Sequence, residues 1–150
     1  MKLAEALQER ADVNRNIEQL SERLELNVLV QEGEQTVEDP IKLKKELDSS
    51  IERLAYLIFH INLTNSTIKI GDKTITELIA EKDALNLKIS TYKDIVDAAS
   101  RTTHRARNSE IRILAAINVS KWQAEIDKMS KELRLLDNKL QETNWSTDLI

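Results

Sequence analysis

Between Val119 and Leu140 the positions Val119, Trp122, Ile126, Met129, Leu133, Leu136 and Leu140 are all apolar and alternate three and four residues apart. That spacing keeps them on one stripe of an α-helix, whereas a strand would send successive side chains to opposite faces. A helix with such a stripe must cover it with another element. The chain supplies the partners. Leu78, Leu85, Ile89, Tyr92, Val96 and Ala99 draw the same stripe, with Lys82 as its polar member, and Leu47, Ile51, Leu54, Ile58 and Ile61 draw it again. Asp39 introduces that last segment as an N-cap residue type, and Pro40 follows at the first helical position. A further stripe runs through Leu3, Leu7, Val13, Ile17, Leu20, Leu24 and Val28, with a one-residue slip of register around Arg10 that overwinds it locally. Four helices are predicted, over residues 2–31, 40–65, 76–99 and 119–143.

The connections agree with this reading. Two glycines and one proline in 150 residues fall far below the roughly ten and seven or eight of ordinary usage, which excludes a β-sandwich or barrel. Residues 31–40 are polar and hold Gly33 and Pro40, so the first two helices are expected to form an antiparallel hairpin. Residues 68–75 alternate apolar and polar about Gly71-Asp72, a β-hairpin signal, and Thr74 with Glu77 offers a capping box for the third helix. Ile111-Arg112-Ile113-Leu114 is a run of strand formers, expected to add a short strand to that hairpin in this chain or a neighbouring one. The predicted fold is mainly α: one domain over residues 1–150, an elongated bundle or antiparallel coiled coil of four long amphipathic helices. The long last connection leaves helices three and four free to run parallel or antiparallel.

Little in the chain points to catalysis. There is no cysteine, hence no disulfide framework, thiolate site or Cys nucleophile. His60 and His104 lack the companion spacing that acid–base or metal chemistry requires, and Gly33 and Gly71 stand alone rather than in a phosphate-binding loop. No enzyme activity, cofactor, metal or small-molecule substrate is expected. The opening residues carry mixed charges where a secretory signal needs an apolar run, and the longest apolar stretch, residues 55–63, is far shorter than a bilayer span. A cytoplasmic location as synthesised is the expectation.

Three sets of residues are candidates for binding or assembly. Arg101, His104, Arg105, Arg107 and Arg112 concentrate positive charge in one connection of a chain whose net charge is -4. They are suited to pair with acidic helices of the same or a neighbouring subunit, or to hold an anionic partner, as a scaffold or adaptor would. Without an aromatic to stack on bases, nucleic acid is not an expected partner. Arg10, Asn14, Asn62, Asn65 and Lys82 interrupt the stripes where a buried polar layer, at the level of His60, would set register. Finally, residues 55–63 are apolar nearly all round and residues 24–30 exceed one stripe, so another subunit or the β-hairpin must cover them. Leu57, Ile58, Phe59, Leu63, Ile68 and Ile70 are the candidate contacts of a homo-oligomer or of a membrane.

The opening Met1-Lys2-Leu3-Ala4-Glu5-Ala6-Leu7, the Gln31-Glu32-Gly33-Glu34 turn with Glu38-Asp39-Pro40, the segment Ile61-Asn62-Leu63-Thr64-Asn65, the entry Ser109-Glu110-Ile111 and the ending Asn144-Trp145-Ser146-Thr147-Asp148-Leu149 resemble the septicolysin-like family of small bacterial helical proteins. The resemblance implies a pore-forming toxin role, a membrane as partner and release from the cell. The hairpin of residues 68–75 and the apolar helix segment of residues 55–63 are then the elements to open onto lipid.

Overall fold

Long helical runs fold here as two antiparallel helical hairpins. The structure, a computed structural model, describes residues 1–101 and 111–150. Its elements are α1 (Leu3–Glu25), α2 (Pro40–Thr67), β1 (Lys69–Ile70), β2 (Lys73–Thr74), α3 (Ile75–Ala99) and α4 (Val119–Ser146). They divide into two compact units, Met1–Ile68 with Glu142–Ile150, and Lys69–Gln141.

In the first unit α1 and α2 run antiparallel. Arg53 on α2 makes a two-pronged ion pair with Glu9 on α1, at 2.7 and 2.8 Å, and Asn16 donates to Ser50 Oγ at 3.1 Å. Leu3, Ala6 and Leu20 of α1 and Leu43, Leu57 and Ile61 of α2 are buried. The seam of α2 is thus rotated from the expected stripe: Leu47 and Leu54 are half-buried within it, while Ile51 and Ile58 are exposed at its flank. Asp39 caps α2 by accepting from the Ile41 amide at 2.9 Å, with Pro40 behind it.

Helix α1 stops at Glu25, short of the predicted residue 31. Asn27 is the cause. Its amide donates to the Arg23 carbonyl at 2.8 Å and its carbonyl accepts from the Glu38 amide at 2.9 Å. An Asn side chain that bonds backbone groups in this way competes with continuation of the helix.

The C-terminal residues close the other end of this unit. The Leu3 amide donates to the Thr147 carbonyl and the Leu149 amide to the Met1 carbonyl, each at 2.9 Å, around a bridge between Lys2 and Asp148. The fully buried Thr64 hydroxyl donates to the His60 carbonyl at 2.8 Å and accepts from the Ile150 amide at 3.0 Å. Both capacities of a buried hydroxyl are thus met.

In the second unit β1 and β2 pair antiparallel, Lys69 opposite Thr74 and Ile70 opposite Lys73, about a turn where Gly71 takes φ +66°. Thr74 then caps α3: its hydroxyl accepts from the Glu77 amide at 3.2 Å while the Glu77 carboxylate accepts from the Thr74 amide at 2.6 Å. Helices α3 and α4 run antiparallel, with Lys82 paired to Asp137 and the Tyr92 ring 4.9 Å from that of Trp122. Ile89, Val96, Ile126 and Met129 form their core.

The extra strand expected at residues 111–114 does not form. A strand needs a free edge of useful length to bond to, and each strand of the hairpin is two residues long. Ile113 and Leu114 instead lie beside the last turns of α3.

Candidate interaction surface

Two surfaces stand out, one in each unit. In the first unit the connection after α1 carries Leu26, Val28, Leu29 and Val30, all more than half exposed, and Val37 and Ile41 are exposed beyond them. The Asn27 to Glu38 hydrogen bond brings the two stretches together. Six large aliphatic residues so exposed at one end of a unit exceed the singly scattered apolar residues of an ordinary monomer surface. Charge within the connection itself is acidic, with Arg23 paired to Glu38 and Lys42 nearby at its edge. Between Leu24 and Ile41 the chain has five acidic residues and no basic one.

Helix α2 adds a smaller apolar face. Ile51, Tyr56, Ile58 and Phe59 are all exposed, Phe59 at 62 %. The Arg53 guanidinium lies 4.9 Å from the Tyr56 ring centre, and the Tyr56 ring lies 4.0 Å from that of His60. His60 Nδ1 donates to the Ile150 carbonyl. These contacts fix the ring cluster at the edge of the face.

Of the residues expected to contact a second subunit or a membrane, Leu57 is fully buried and serves the core, because it shares with Leu43, Leu54 and Ile61 the face of α2 that is turned toward α1. Ile58 and Phe59 are at the surface, while Leu63, Ile68 and Ile70 are half-buried. Within the first unit, Arg10 and Asn14 do not converge with Asn62 and Asn65. Pairing of Glu9 with Arg53 and of Asn16 with Ser50 sets Arg10 and Asn14 opposite the middle of α2, about two turns before His60. Asn14 and Asn62 are exposed, and Arg10 and Asn65 are half-buried. Lys82 lies in the second unit with Asp137 as its partner. The neighbours of His60 are the tail residue Ile150 and its own helix.

In the second unit, Ile95, Ala98 and Ala99 of α3 and Ile113, Leu114 and Ile117 of the following segment line an open groove of about 290 Å³, with Arg101 at its rim. Arg101 and Arg112 are exposed; His104, Arg105 and Arg107 lie outside the described residues. Sequence reading missed this groove because two alanines and a broken strand pattern carry no periodic signal. The exposed connection, by contrast, is announced by its surplus of apolar residues.

Carboxylates of the first unit sit below their ordinary range. Glu9 is held down by its hydrogen bonds from Arg53, Glu38 by those from Arg23, and Asp148 by Lys2. These are exposed pairs that tie elements together. Among the described residues no group of three or more His, Cys, Asp or Glu is placed to hold a metal ion, and no helix is long and apolar enough to cross a membrane.

A solved structure with the same fold is that of a functionally unknown conserved protein from Corynebacterium diphtheriae. It is 34% identical, with a TM-score of 0.87 and alignment over 100% of this chain and 99% of that one. No curated protein matches. Neither that structure nor the matching family bears a septicolysin or toxin name, so the septicolysin resemblance and the pore-forming role it implied are set aside. The local turns and helix ends that carried it are shared by helical hairpins generally. The family model that does match spans residues 10–149, and the chain belongs to that family, DUF6847, a family of unknown function.

Proposed function

We propose that the chain is a non-enzymatic helical module whose work is done by association, and that it associates with a second copy of itself. The supporting observation is the apolar end of the first unit, where Leu29 and Val37 are 88 % and 97 % exposed beside Leu26, Val28, Val30 and Ile41. A chain keeps such a surface only where something covers it, since water in contact with it costs about 25 cal/mol per Å².

Light scattering after size exclusion, over a hundredfold range of concentration, tests the reading. The expected mass exceeds the 17.2 kDa of one chain and rises with concentration toward a defined oligomer. A mass of one chain throughout overturns it.

A further inference from the structure

The two surfaces differ in shape and in charge. The connection after α1 is an exposed apolar loop within a stretch, Leu24 to Ile41, that has five acidic residues and no basic one, of which Glu38 is already paired to Arg23 while Glu25 and Glu32 have no ion pair among the described residues. The second unit offers an apolar groove with Arg101 at its rim and Arg112 next in the chain to its lining residue Ile113. Loop against loop would set glutamates against glutamates, and groove against groove arginines against arginines. Like charges placed across an interface oppose docking, and opposite charges both steer and orient it.

We propose that residues 26–30 of one copy seat in the groove between the end of α3 and residues 113–117 of a second copy. The inference rests on the self-association reading and names which surfaces meet. Leu29, the most exposed side chain of the loop, enters among Ala98, Ile113 and Leu114. Glu25 and Glu32 face Arg101 and Arg112 across the rim. The backbone groups of Val28, Leu29 and Val30 make no hydrogen bond among the described residues. They are therefore available to bond the chain of the groove in the manner of an added strand. The same contact made twice closes a pair of chains, and made head to tail it extends.

The absence of cysteine makes the test clean. Two single-cysteine proteins, Leu29→Cys and Leu114→Cys, one carrying a size tag, are mixed under mild oxidation and separated without reductant. The expected product is the mixed disulfide, formed at least tenfold more than either self-pair, because only a loop meeting a groove brings those sulfurs within bonding range. A Leu29→Cys self-pair that dominates overturns the proposal by placing loop on loop. An oligomer by light scattering with no mixed disulfide also overturns it, while leaving self-association intact. A wild-type monomer at every concentration removes both readings.

Charge exchange gives a second readout. Glu25→Lys with Glu32→Lys is expected to weaken association at least tenfold, and mixing with Arg101→Glu, Arg112→Glu protein to recover most of it. Equal association before and after exchange overturns the assigned facing of charges.

Discussion

Asn27 accepts a hydrogen bond from the Glu38 amide at 2.9 Å while donating to the Arg23 carbonyl at 2.8 Å, so a single buried amide ends α1 and anchors the entry to α2. Glu38 is also the carboxylate partner of Arg23. Replacement Asn27→Ala leaves a backbone donor and a helix carbonyl without partners, at a cost of about 1–3 kcal/mol. Chemical unfolding followed by circular dichroism measures the loss. An unchanged midpoint would show that water substitutes fully for the amide.

Leu57 and Phe59 are two residues apart and opposite in role, 0 % and 62 % exposed. Leu57→Ala is expected to cost about 2–5 kcal/mol, because it empties a site in the close-packed seam of α1 and α2. Phe59→Ala is expected to change stability by within about 0.5 kcal/mol. Thermal melts of the two variants side by side distinguish a core position from a surface one.

Lys82 pairs with Asp137 between α3 and α4, both partly exposed. A double-mutant cycle with Lys82→Met and Asp137→Asn is expected to give a coupling of about 0.2–1 kcal/mol, reduced by salt. The polar member of the α3 stripe then sets alignment more than stability. A coupling well above that range would mean the pair is shielded from water.

Acid is expected to destabilise the first unit, while neutral pH leaves it at full stability. Glu9, Glu38 and Asp148 have lower pKa values folded than free, through Arg53, Arg23 and Lys2. Their contribution is complete above the ordinary carboxylate values of 4.5 and 3.8 and is lost as pH falls through the lower folded values, since the unfolded chain then binds more protons. The melting midpoint is expected to be flat from pH 7 to about 5 and to fall below about 4.5, and Arg53→Gln to soften that fall. A midpoint independent of pH down to 3 would contradict the assignment.

Helix positions, the β-hairpin about Gly71 and the capping box of Thr74 and Glu77 were legible in the chain because each depends on neighbours within one or two turns. So was the surplus of apolar residues in residues 24–30. The end of α1 was not, because it depends on Asn27 meeting Glu38, eleven residues on. The expected polar layer of Arg10, Asn14, Asn62 and Asn65 failed for a related reason. Antiparallel helices can slide by whole turns without moving an apolar stripe off its face, and the ion pair of Glu9 with Arg53 selects one alignment.

Periodicity, caps and turn residues, all local in sequence, were thus enough to determine a mainly helical protein of four long helices, the first two as a hairpin, with one hairpin of strands. Tertiary structure alone decided that α3 and α4 run antiparallel and that Ile113 and Leu114 line a groove rather than extend a sheet. It also decided that Leu57 is core while Leu29 is surface. Each of those outcomes turns on which distant residues meet, and an apolar side chain looks the same in sequence whether its partner lies in the same chain or has yet to arrive.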